Sequence, residues 1–477
     1  MITAQTADAP TSFIRSSLYT FLIESDLDSE RVNKETEKSG GDLMNLVEAF
    51  SSTERNVTAD DSIPKSELIL KIYNSIDMPD QFYNHNLDRR IVSYDEYVGL
   101  NLATVAPQKK SFLKQFVSSS DIKDSIPMAL ENFFIAEKIP THLVGKWFNY
   151  TGETYKHPVT GTDTYYNVNL VKERGVQNAS FGDTELSDFT SQGYYAIENS
   201  GMSLIPNTFV MGVRLKYTSK AELNEQIRRN IKDIAGIAKL VGIDAKKIDD
   251  IDYLISFLLD GTALAMGDGY YVQATSYLYQ LVWNKEKQSA FNTYIDKPIE
   301  ELIESGICEL NYVGRGKSLS TIRSRKFSKL PESELVKRAT VRSIDAVIAE
   351  LQSENDVFKT KCKIHDIGED GTIYAKIGLK EGLIDGDEYE VLERIINEKT
   401  GEETFKKTGS VKVDKATIWD NQFDADVEMA EDQEAGKGGA STLTATAFKG
   451  KVKDAHKGMY LQLSKKKRNR LADLLMK

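Results

Sequence analysis

The segment Gly314-Arg315-Gly316-Lys317-Ser318 has the residue types of a phosphate cradle: glycines that let a backbone approach closely and a lysine to meet the charge. Its spacing is wrong for that task. A phosphate loop needs glycine six residues before the lysine, and that position is Asn311. The segment is therefore expected to be a basic surface loop. Its charge continues through Arg315, Lys317, Arg323, Arg325, Lys326 and Lys329, with no acidic residue between them. Such a patch has two uses. It can bind phosphate groups of a partner, or it can pair with residues 424–434 of the same chain, which hold six acidic residues and no basic one.

Other chemistry is harder to assemble. The histidines, His85, His142, His157, His365 and His456, lie too far apart for a helical metal pair. Asp385-Gly386-Asp387-Glu388 lacks the spacing of a calcium loop, and no GxSxG elbow is present. The two cysteines, Cys308 and Cys362, cannot form a disulfide framework, and Cys362 is expected as a half-buried strand thiol. No catalytic, cofactor-binding or metal-binding residue is assigned, and no cofactor is expected.

The elements that must position the patch are legible in part. The chain has 477 residues, 40% hydrophobic and 28% charged, with a net charge of −11, which suits a soluble globular protein of roughly three domains. A chain that binds nucleic acid over its whole surface would be basic, so nucleic acid is an unlikely partner. No run of 18 apolar residues spans a membrane.

Residues 13–24 (FIRSSLYTFLIE) predict a strand. Residues 42–50 and the segment after Pro64 predict helices. Tyr166, Val168 and Leu170 alternate as in a strand. So do Phe209, Met211, Val213, Leu215 and Tyr217, and a further strand at 271–283 puts Tyr277, Tyr279 and Trp283 on one face. The last two strands are expected to pair and the aromatic face to be core. A helical hairpin lies between them, marked by Ile227, Ile231 and Ile234 and then by Ile251, Leu254 and Leu258. After a linker at 329–334, Ile344, Val347, Ile348 and Leu351 mark one face of a helix. Short strands with turns at 369–371, 385–387 and 397–401 then predict a small barrel or sandwich. Residues 424–434 are expected to be a mobile acidic loop, and 457–477 a basic tail.

The fold class is therefore α+β. Three units are expected: an N-terminal α+β unit at 1–128, a central sheet domain at 129–330 with a helical insertion at 219–266, and a helix plus small β-barrel or sandwich at 331–477.

Several segments together resemble a family of exported proteins of gut and oral Bacteroidetes with no assigned activity. They are Arg15-Ser16-Ser17-Leu18-Tyr19, Phe82-Tyr83-Asn84-His85-Asn86-Leu87, residues 172–180 (KERGVQNAS), Asn207-Thr208-Phe209-Val210-Met211, Gln280-Leu281-Val282-Trp283-Asn284, and 375–393. The resemblance spans most of the chain and implies a periplasmic or outer-membrane-associated location. It carries no catalytic residue. Consistent with it, the N-terminus reads as the start of a cleaved chain with Met1 an added start. The tetrapeptide Asp-Ser-Ile-Pro occurs at 61–64 and 124–127. It resembles the O-glycosylation acceptor of exported Bacteroidetes proteins, at Ser62 and Ser125, and is equally a turn leading to a helix N-cap. Separately, residues 378–387 with their flanking strands resemble the small C-terminal barrel of a flagellar assembly protein of the T type. The expectation is a non-enzymatic envelope binding or assembly protein whose partner is an unknown protein or envelope component. The alternatives are a hydrolase of an envelope polymer with a carboxylate pair across a cleft, and a nucleic-acid adaptor acting through the 315–329 patch.

Overall fold

The computed structural model describes residues 12–24, 66–100, 102, 126–157, 161–171, 201–202, 204–219, 270–321, 332–396, 403–434 and 443–466. The helix expected at 42–50, the helical hairpin between 227 and 258, Ser62 and Ser125 lie outside these residues. So do Arg323, Arg325, Lys326 and Lys329 of the basic patch.

The chain is an α+β protein built on two large sheets. Residues 13–24 form two strands rather than one, β1 (Phe13–Ile14) and β2 (Ser16–Glu24), broken at Arg15. The break sends them to different sheets. β2 lies in a mixed sheet with β3 (Phe82–Asn84), β4 (Ile91–Ser93), β7 (Thr208–Ser219), β8 (Tyr270–Leu281) and β9 (Leu310–Thr321). β3, β4 and β7 run parallel to β2, and β7, β8 and β9 form an antiparallel meander. A two-stranded ribbon joins β5 (Tyr155–Lys156) to β6 (Asp163–Thr164).

β3 and β4 take successive halves of β2, and the Asn-His-Asn stretch fills the gap between them. The Asn86 side chain accepts from the Thr20 amide (2.7 Å), the His85 amide donates to Leu18 O (2.9 Å) and the Leu22 amide donates to Arg90 O (2.9 Å). The ladder of β2 is thus continued by a side chain where no strand runs.

Helices cover both faces of the mixed sheet. Leu18, Phe209, Met211, Val213 and Leu278 pack against α7 (Glu332–Glu354) and Tyr73 of α1 (Ser66–Ser75). Tyr19, Phe21, Val210, Tyr277 and Tyr279 pack against α2 (Tyr94–Val98), α3 (Ile126–Ala136) and α4 (Ile139–Trp147). Strands buried on both faces read as near-continuous apolar runs, and Leu18–Ile23 of β2 is such a run, interrupted at Thr20. At one end Trp147, Phe148 and Tyr166 meet Trp283 and Leu302, joined by Phe291 of α5 (Lys285–Phe291) and by α6 (Ile299–Ser305). The aromatic face of β8 is core, as expected. Residues 166–170 are not a strand: Tyr166 fits into this aromatic cluster and 168–171 turn into helix.

The second sheet is entirely antiparallel, in the order β1, β10 (Lys361–Lys363), β16 (Tyr460–Lys465), β13 (Glu388–Ile396), β14 (Glu403–Val413), β15 (Thr446–Lys449), β12 (Ile373–Ala375), β11 (Asp366–Ile367). Strands from both ends contribute to one apolar cluster, with Phe13 and Cys362 beside Ile373, Val391 and Phe448. The sheet therefore curls around its own core, but among the described residues no hydrogen-bonded pairing closes it into a barrel. No helix among the described residues is long and apolar enough to cross a membrane.

Residues 424–434 are not a loop. They form α8 (Ala425–Glu434) with Asp424 just before it. Arg338 and Arg342 of α7 meet Glu428 of this helix, and Arg338 also meets Asp424 just before it.

Candidate functional site

The Gly314–Ser318 segment lies inside β9 and is not a surface loop. Its glycines have a packing cause. A Cβ on Gly316 would stand 2.8 Å from Leu351 Cγ, and one on Gly314 2.9 Å from Asn355 Oδ1. The two glycines and Ser318, whose hydroxyl donates to Ser343 O (2.7 Å), form the flat strip on which α7 lies. By alternation Arg315 and Lys317 face the other side of the sheet. There Arg214, Thr275 and Lys317 share one cross-strand row. Burial lowers the pKa of Arg214, and neighbouring Tyr277 opposes that shift.

The acidic segment meets different cations from those of the 315–329 patch. Arg338 of α7, 2% exposed, bonds Asp424 through Nε (3.1 Å) and Glu428 through Nη1 (3.2 Å). Arg342 reaches the other oxygen of Glu428 through Nη2 (3.0 Å) and donates to Phe423 O. One carboxylate is thus shared by two guanidiniums. The residues 338, 342, 345, 349 and 352 recur every three or four positions, which is one helix face. That face is turned toward the second sheet, while Ile344, Val347, Ile348 and Leu351 are buried on the first.

Facing it is the turn Leu379–Glu381 and Gly382. Gly382 has φ +72, a conformation that L side chains disfavour, and a Cβ there would stand 2.9 Å from Ala349 Cβ. Glu381 is fully engaged. Its Oε2 accepts from the Gly378 amide (2.7 Å) and Asn421 Nδ2 (2.8 Å), and its Oε1 accepts from Gln81 Nε2 (3.3 Å). Gln81 in turn accepts from Gln352 of α7 (3.0 Å). Lys466 donates to Gly382 O and to buried Asp387 (2.7 Å).

These groups wall a cleft of about 130 Å³, with Arg342, Asp345, Ala346, Ala349 and Glu350 on one side and Leu379, Lys380, Gly382, Gln422 and Lys466 on the other. Asp345 also lines its narrow continuation toward Gln81 and Glu381. Burial pushes the Asp345 carboxyl up to about 7. Lys380 and Arg342 pull it down, and Glu381 adds to the rise. Burial likewise raises Glu381, against the opposing pull of Asn421 and the Gly378 amide. No group of three or more His, Cys, Asp or Glu side chains suited to a metal occurs among the described residues. Burial raises both thiols, Cys308 to about 11 and Cys362 further, so neither is a ready nucleophile.

None of these cleft residues was singled out from the sequence as a site. The available signal was the recurrence of polar and small residues at 338, 342, 345, 349 and 352, which reads equally as a solvated helix face. No protein-family model, curated protein or solved structure matches the chain.

Proposed function

We propose that the protein is a non-enzymatic binding or assembly protein of the cell envelope, with an unknown protein or envelope component as partner. One observation carries the non-enzymatic reading. Of the carboxylates at the cleft, Glu381 has both oxygens occupied by three donors, and Asp345 and Glu350 stand on the same wall, on α7, so no free pair flanks the cleft. A polymer hydrolase needs two working carboxyl groups across the scissile bond. The cleft of about 130 Å³ is also small beside the 300–1,000 Å³ usual for larger ligands. The envelope location rests on the resemblance to exported Bacteroidetes proteins, as does modification of Ser62 and Ser125.

The hydrolase remains the second reading because a carboxyl poised near pH 7 in a cleft is a frequent mark of acid–base chemistry. One experiment separates the two. Native cells are fractionated, proteins crosslinked to this chain are identified, and purified chain is incubated with isolated envelope polymer. The binding reading expects an envelope-fraction protein with a reproducible crosslinked partner and no soluble fragments. Fragment release that disappears in Asp345→Asn would replace it with the hydrolase. A cytoplasmic chain would remove the envelope assignment.

A further inference from the structure

The side chains of Asp345 and Lys380 face the same cleft from opposite walls, and neither side chain makes a hydrogen bond or close ion pair with a described residue, the one such contact of Lys380 being its backbone amide on Asn421 (2.9 Å). Their neighbours are already engaged. Arg342 holds Glu428 and Phe423 O, Lys466 holds Asp387 and Gly382 O, and Glu381 has its three donors. The cleft thus presents one carboxyl and one ammonium that meet other charges only at Coulombic range, Lys380 acting on Asp345 and on Glu381 without a hydrogen bond. A desolvated carboxyl gains further from a bonded cation. A ligand of single charge answers only one of the two groups, whereas a zwitterion answers both. Ala346, Ala349 and Leu379 give the cleft apolar wall, and its volume suits a molecule of a few heavy atoms.

We propose that this cleft binds a small zwitterion of the amino-acid class, its ammonium on Asp345 and its carboxylate on Lys380. The inference stands apart from the envelope reading, since it needs neither a location nor a macromolecular partner. Binding is proton-linked. The charged and titratable groups around Asp345 are Arg342 and Glu350 on α7, Lys380 and Glu381 on the facing turn, and Lys466 after β16. A ligand ammonium beside Asp345 favours the carboxylate, so a fraction of a proton leaves on binding at pH 7.

The test is calorimetry on the full chain at pH 7, with glycine and β-alanine as zwitterions and acetate and methylammonium as singly charged probes. At least one zwitterion is expected to bind about tenfold or more tighter than either single charge, with heats that depend on the buffer's ionisation. Asp345→Asn and Lys380→Met should each lose about tenfold in affinity, and Ala346→Leu should block the cleft with both charges intact. Retained thermal midpoints show that the variants fold. Failure of both zwitterions to bind, equal affinity for acetate, or unchanged binding in Lys380→Met or Ala346→Leu would each overturn the proposal.

Discussion

α7 has two flanks, and they hold the molecule together by different means. The flank on β8 and β9 is apolar and close-fitting. Val347 and Leu351 lie over Gly316, and Ile344 and Ile348 complete the layer. The flank turned toward the second sheet is ionic, with Arg338 and Arg342 on Asp424 and Glu428, and it ends in a neutral hydrogen bond from Gln352 to Gln81, just before β3. The apolar flank depends on shape, so it responds to volume. The ionic flank depends on pairing, so it responds to lost partners and to pH. The first resembles a protein core, and the second resembles an interface between two folded units.

The largest expected effect breaks the ionic flank. Arg338→Met strips a buried cation from two carboxylates, and stability by urea unfolding should fall by about 3 kcal/mol. The apolar flank answers to bulk: Gly316→Val pushes a side chain into Leu351 and should lower stability by about 2 kcal/mol. The same change at Gly314 meets the movable Asn355 side chain and should matter less. Asp345→Asn sharpens the contrast through pH. An acid whose folded-state pKa is raised holds its proton better folded than unfolded. Its stabilising contribution is therefore complete below about pH 4 and declines as pH rises to about 7. Asp345→Asn removes that decline, so in urea unfolding the variant should match the parent near pH 4 and be the more stable of the two at pH 8. The smallest effect lies away from α7. Lys457→Ala breaks the exposed pair with Asp366 (2.8 Å), and the thermal midpoint should stay unchanged.

What was legible in the sequence follows the same division. Alternation at 209–217 and 271–283 marks β7 and β8, and the spacing of Ile344, Val347, Ile348 and Leu351 marks the sheet side of α7, because apolar burial leaves a periodic trace. The ionic flank leaves none, since Arg338, Arg342 and Asp345 look like any solvated helix face. For the same reason α8 resembled a loop: its order comes from arginines some 86 to 90 positions away in the chain. The break at Arg15 was invisible because the partner of β1 lies far along the chain. The glycines of 314–316 suggested a loop, but they are small so that a helix can approach a strand.

Phe13 pairs with Cys362, about 350 residues further on. At ribosomal rates of ~5–20 residues per second, β1 waits roughly 20–70 s for its neighbour to be made. Meanwhile β2, its continuation, meets parallel partners first in β3 and β4 and then in β7. The second sheet is therefore among the last of the described parts to be completed, and it takes in β1 from the far end of the described chain. Contacts of such separation make assembly slow. A chain that loses its first fifteen residues would leave β10 as a bare edge, open to a strand from another molecule.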